Sequence, residues 1–115
     1  MIETHYDCPC LEKCPLRYAM TIIGGKWKVQ ILCALNNAGT LRYNALRGRL
    51  DGVSNTVLAN ALRELESDGM VVRQEFMEVP VRVEYSTTAA CDKLMPILEE
   101  LSEWGEGLMR QRALI

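Results

Sequence analysis

At 115 residues, with 49% hydrophobic and 24% charged, the chain has the size and composition of one compact domain with a small core, which excludes disorder. No apolar run approaches the roughly 18 residues of a membrane span, and the N-terminal MIETHYDCPC lacks both a basic and an apolar signal-peptide region. A cytoplasmic protein is expected, with its five cysteines as thiols rather than a disulfide framework. The net charge of −2 argues against an indiscriminate nucleic-acid binder, but the charge is unevenly spread. Residues 13–50 carry Lys13, Arg17, Lys26, Lys28, Arg42, Arg47 and Arg49 with no acid, whereas residues 99–106 carry Glu99, Glu100, Glu103 and Glu106 with no base.

Residues 1–13 read as an irregular arm, and residues 14–115 as the folded unit. A first helix is predicted from Pro15, since proline suits the first helical position, with Leu16, Ala19, Ile22 and Ile23 on its apolar side and Gly24-Gly25 at its end. A second helix over about 26–37 holds Trp27, Ile31, Leu32, Cys33 and Leu35; it is apolar almost all round, as a central core helix should be. Thr40-Leu41 has the makings of a very short strand. A third helix over about 42–50 buries Leu46 and Leu50, and Asp51-Gly52-Val53 makes a tight connection to a fourth, capped by Ser54 or Asn55 and ended by Asp68-Gly69. Two short helices joined by about three residues including Gly are a helix-turn-helix signature. Met70–Glu78 and Val81–Thr87 then read as two strands with Val79-Pro80 near the tip. A last helix spans about 88–112, with Leu94, Ile97, Leu101, Trp104 and Leu108 as a heptad-like seam and a kink or late start expected at Pro96.

The fourth helix has two faces. Val57, Leu58, Ala61, Leu62 and Leu65 form an apolar stripe, while Asn55, Thr56, Ala59, Asn60 and Arg63 form a face that is small and hydrogen-bonding, then cationic. Such a face suits a helix lying in a DNA major groove; a plain solvated face more often carries Glu and Lys.

This order of elements is that of a winged helix-turn-helix, mainly α with a small β-hairpin wing. The chain resembles the HxlR-type family of bacterial transcription regulators, relatives of the MarR-type proteins. The resemblance rests on Cys14-Pro15, Ile23-Gly24-Gly25-Lys26-Trp27, Leu41-Arg42-Tyr43-Asn44-Ala45-Leu46, Val53-Ser54 and Leu58. It continues through Leu62–Gly69, the hairpin Val79-Pro80-Val81-Arg82-Val83-Glu84-Tyr85-Ser86 and Trp104, so it covers roughly residues 14–105. The resemblance implies a homodimer through the first and last helices, which assigns Leu16 and the seam Leu94, Ile97, Leu101, Trp104 and Leu108 to the interface. It also implies operator DNA as partner and, in many members, a response to oxidants or electrophiles at the cysteine matching Cys14.

On this reading Asn55, Thr56 and Asn60 face base edges, Ser54 lies at the helix start, and Arg63 reaches a phosphate or a guanine. Arg82 enters a narrow minor groove, or instead pairs with Glu78 or Glu84 along the hairpin. Lys26 holds a phosphate at the start of the second helix. Arg42, Tyr43, Arg47 and Arg49 lie on or before the helix that crosses the backbone, with Tyr43 equally a core candidate and the arginines equally plain solubilising charges. Two such helices in a dimer read a pseudo-palindrome with half-sites about 10 bp apart or a multiple of that.

Cys14 sits at or beside the N-cap of the first helix, where the helix dipole, Lys13 and Arg17 favour a thiolate; the alternative is an inert, half-buried thiol. His5, Cys8, Cys10 and Cys14 make a rival metal-responsive cluster, though one intervening residue between Cys8 and Cys10 is short for zinc. Cys33 reads as packing, and Cys91 is open to either role. A winged-helix protein-interaction module is the other alternative. With no C-x-x-C, its one histidine in the arm, and no carboxylate pair or phosphate loop, the chain is expected to be neither an enzyme nor a cofactor carrier.

Overall fold

The computed structural model describes residues 14–115. Helix α1 (Pro15–Ile23) opens on its proline, with Cys14 as the extended N-cap residue. It ends at Gly24, where the chain passes so close to the Met20 carbonyl oxygen that a Cβ would overlap it. Gly25 follows at φ +100°, a left-handed backbone that suits glycine. These two residues delay the next helix: α2 (Lys28–Ala38) starts two residues later than the sequence predicts, with Trp27 as N-cap and its carbonyl accepting from Ile31 N at 2.9 Å. Lys26 therefore lies before α2, not in its first turn.

Strand β1 (Thr40–Arg42) runs into α3 (Tyr43–Gly48), for which Arg42 is the N-cap residue, and α4 (Asn55–Ser67) follows across a turn with Gly52 at φ +85°. The hairpin is shorter than its apolar pattern suggests: β2 is Val71–Phe76 and β3 is Arg82–Thr87. Pairing stops at Phe76 because the Glu78 N–H turns back to the Phe76 carbonyl at 2.8 Å. β1 adds to the far side of β3, giving an antiparallel sheet in the order β1-β3-β2, with Leu41 opposite Tyr85 and Arg73 opposite Tyr85 on the other flank.

Ile31, Leu32 and Leu35 of α2 lie at the centre of the core, surrounded by Leu46, Leu50, Val53, Leu58, Leu62, Leu65, Val71 and Tyr85. Removing the fully buried Leu58 side chain beyond Cβ would cost about 2–5 kcal/mol, so the pattern along α4 is what fixes its orientation. Val57 departs from the predicted stripe: it is 42% exposed, because it sits one residue toward the outward face from Leu58.

Helix α5 (Ala89–Gln111) starts on time and runs through Pro96, so the late start does not occur. The carbonyl that Pro96 cannot bond belongs to Asp92, an exposed residue whose carbonyl water can serve. The seam divides at this point. Leu94 packs against the core and Leu98, absent from the predicted seam, is buried, whereas Ile97, Leu101 and Trp104 are 60%, 54% and 65% exposed and Leu108 is half-buried. Beyond Leu98 no residue of α5 is buried. On α1, Leu16, Tyr18 and Met20 are likewise exposed, while Ile22 and Ile23 pack on the core. Among the described residues no helix is long and apolar enough to cross a membrane.

Candidate nucleic-acid interface

Burying Leu58, Ala61, Leu62 and Leu65 turns Asn55, Thr56, Asn60 and Arg63 outward, and all four are exposed. The start of α4 is closely built. Ser54 is the cap, its Oγ accepting from Val57 N at 3.2 Å, which satisfies one of the unpaired N–H groups of the first turn. The Tyr43 hydroxyl lies 3.1 Å from both the carbonyl oxygen and Oδ1 of Asn55, so α3 holds the first residue of α4 by backbone and side chain together. Tyr43 is half-buried against the core, which joins the two roles the sequence leaves open. Arg47 Nε donates to the Val53 carbonyl at 3.4 Å and so spans the turn between the helices.

Further along the face, Arg63 Nη1 donates to Asn60 Oδ1 at 2.7 Å. An asparagine reading adenine uses that oxygen as acceptor; Arg63 occupies one of its two lone pairs and leaves the other for a base. Lys26 is exposed; its ammonium lies 4.9 Å from the centroid of the Trp27 ring, and its carbonyl accepts from Gln30 Nε2 at 2.9 Å. Lys26, Val57, Asn60 and Glu64 line one shallow cleft, which brings Lys26 beside α4. Lys28 lines the same cleft but is already paired: its Nζ is 2.6 Å from Glu64, and this contact holds the Glu64 carboxyl below the usual range. That ion pair ties α2 to α4, a role no local sequence pattern announces.

The wing residue Arg82 is held on two sides, by Glu78 at 3.0 Å and Glu84 at 3.4 Å, and its guanidinium carbon lies 3.9 Å from the Phe76 ring centroid. Its Nε is buried without a hydrogen-bond partner among the described residues. The ion-pair alternative of the sequence reading is thus the arrangement observed. Beyond Arg82 the hairpin tip is apolar and open, with Met77 and Val79 almost fully exposed and Val81 58% exposed. Arg42 and Arg49 are exposed at the two ends of α3. Sequence reasoning missed Arg73, which faces α4 across a cleft and pairs with Glu75 at 2.8 Å. Its only signal was its place in the strand, two residues after the buried Val71.

Cys14 is 3% exposed, and its side chain makes no cap hydrogen bond to α1. Burial pushes the Cys33 thiol up; burial, then the charges of Asp92 and Cys33, push up that of Cys91, whose Sγ lies 3.8 Å from Met95 Sδ. Cys91 is fully buried, which gives it a packing role. His5, Cys8 and Cys10 of the suggested metal cluster lie outside the described residues, as does Lys13; among the described residues no three His, Cys, Asp or Glu side chains converge.

The HxlR-like helix-turn-helix family matches residues 22–113. An uncharacterized HTH-type transcriptional regulator of Halalkalibacterium halodurans is 41% identical over 95 residues, 83% of this chain and 84% of that protein. The oxidized form of the redox regulator HypR superposes with a TM-score of 0.75 at 38% identity, covering 82% of this chain and 96% of that one. The reduced form of the transcriptional regulator YodB from Bacillus subtilis gives 0.73 at 30% identity, covering 81% and 91%.

Proposed function

The chain belongs to the HxlR-like helix-turn-helix family and is a transcriptional regulator rather than an enzyme; on that premise we propose that it binds a pseudo-palindromic operator as a homodimer, with Cys14 governing binding in response to oxidants or electrophiles. The observation that carries the DNA reading is the outward face of α4. Asn55, Thr56, Asn60 and Arg63 are presented together, on a helix start fixed by Ser54 and Tyr43, beside a wing with an exposed tip. Direct readout needs donors and acceptors held in register with base edges, and this face supplies both. Arg42, Arg47 and Lys26 flank it as phosphate contacts that position the helix.

Dimerisation is supported by the apolar surface left uncovered on α1 and on the outer side of α5. Leu16, Tyr18, Met20, Ile97, Leu101 and Trp104 are each more than half exposed, more apolar surface than a stable monomer usually leaves open. A sensing role for Cys14 is supported by its place at the N-terminus of α1, where the helix dipole favours a thiolate, and by similarity to HypR, a redox regulator. Its burial means that reaction waits for a local opening of the N-terminal turn.

Selection of bound sequences from random DNA, followed by anisotropy titration with and without diamide, tests all three parts. Inverted half-sites and a loss of affinity that the Cys14→Ser variant resists are expected. Selection of single half-sites would refute the dimeric reading, and equal oxidant sensitivity of wild type and Cys14→Ser would refute the sensor.

A further inference from the structure

A helix in the major groove and a hairpin in the adjacent minor groove are separated by one sugar-phosphate strand. Whatever lies between them on the protein faces phosphates, not bases. In this chain the space between α4 and the hairpin is a cleft of about 360 Å³. Arg63 lines its α4 side, Arg73 and Tyr85 its sheet side, and Tyr43 also borders it.

Arg73 reaches this place by strand alternation. Val71, Arg73 and Glu75 share the face of β2 that turns toward the helices, and that face changes from core to charge as the hairpin leaves the body of the protein. Val71 is buried, and Arg73 stands opposite the buried Tyr85. The Arg73 guanidinium is anchored by Glu75, 2.8 Å away. A guanidinium has five N–H donors, so this anchor leaves others for phosphate oxygens, and the anchoring reduces the entropy lost when the contact forms. Arg63 is steadied on the opposite wall by Asn60. Glu66 shares the cleft and Glu75 anchors Arg73, so the four side chains are together neutral and a phosphodiester competes with these carboxylates for the guanidinium donors.

We infer that Arg63 and Arg73 form a two-sided clamp on the phosphodiester strand between the two grooves, which makes Arg73 a DNA contact and Arg63 a phosphate ligand rather than a base reader. The inference rests on the DNA-binding reading above.

The test uses the full chain and a selected operator. Single methylphosphonates, which remove one phosphate charge without altering the protein, are scanned across the strand between the α4 site and the flanking minor groove. One position should weaken wild-type binding about ten-fold, and Arg73→Ala should do the same with its salt slope flattened by roughly one phosphate's worth. The two changes combined should cost little more than either alone, the mark of direct coupling. Base preference should be unaltered in Arg63→Lys, since a phosphate ligand carries no sequence information. An unchanged affinity and slope for Arg73→Ala, fully additive effects, or relaxed base preference in Arg63→Lys would overturn the clamp. If wild type binds no operator at all, the DNA reading itself fails, and the two failures are told apart.

Discussion

If Arg82 contacts DNA, it must first leave a carboxylate, and that sets up a charge-neutralising test. Glu78→Gln keeps the shape of the side chain and removes the charge nearest the wing arginine, 3.0 Å away. Exposed ion pairs are worth about 0.2–1 kcal/mol. Arg82 is only 25% exposed and stacked on Phe76, so a value near the top of that range, about 1 kcal/mol, is appropriate. Glu84, 23% exposed within the sheet, remains to orient the guanidinium after the change. A phosphate about 8 Å from Glu78 would also be repelled by roughly 0.5 kcal/mol before salt screening and about 0.2 kcal/mol after it. Together these give a rise in operator affinity of about five- to eight-fold. The assay is fluorescence anisotropy at fixed ionic strength, with thermal melts to confirm that the hairpin stays folded. Affinity equal to or below wild type for Glu78→Gln would refute the reasoning and leave Arg82 as a brace that shapes the wing.

Tyr43→Phe removes the hydroxyl that grips Asn55, so operator affinity should fall about five-fold, the equivalent of ~1 kcal/mol, with little change in melting temperature; a fall in stability of similar size would make Tyr43 a core residue only. Leu101→Glu places a charge in the middle of the exposed α5 surface, and light scattering after gel filtration should report a monomer with an unchanged circular-dichroism spectrum; a persisting dimer would move the interface elsewhere. Lys28 lowers the Glu64 carboxyl pKa, so this pair stabilises the fold above the ordinary carboxylate pKa of about 4.3 and is lost as pH falls through the lower folded value. Glu64→Gln should therefore melt below wild type at neutral pH, with the gap closing only in acid below about pH 4; a gap that is constant down to pH 2 would show that the ion pair is not its source.

How much the sequence reveals depends on the range of the interaction. The two faces of α4 were legible because burial follows a 3.6-residue period, and Leu58, Leu62 and Leu65 lie where it puts them. Val57 was misread because a period locates the centre of a stripe better than its edge. The delayed start of α2 is a backbone matter, set by how close Gly24 comes to Met20, which composition cannot express. Heptad spacing makes the α5 seam one surface, but Leu94 and Leu98 face the core and Ile97, Leu101 and Trp104 do not. Where a helix leaves the body of its own domain is a tertiary fact. The same holds for Lys28–Glu64, Tyr43–Asn55 and the Arg73 cleft, each joining residues from different elements.

These tertiary pairs bear on how a chain of net charge −2 can be a selective DNA binder. On the proposed surface the arginines do not stand bare. Arg63 is held by Asn60, Arg73 by Glu75, and Arg82 by Glu78 and Glu84. Phosphate then competes with a partner already in place, displacing it or sharing the guanidinium with it, and the net gain from each such exchange is small. Random DNA offers the phosphates without the base contacts proposed for Asn55 and Thr56, so it gains little from the exchange. A matched operator adds bidentate base contacts worth about 1–3 kcal/mol each, enough to carry several exchanges with it. The resident carboxylates thus lower binding to all sequences by a common factor, so phosphate contacts alone hold random DNA weakly while the base contacts keep the operator bound.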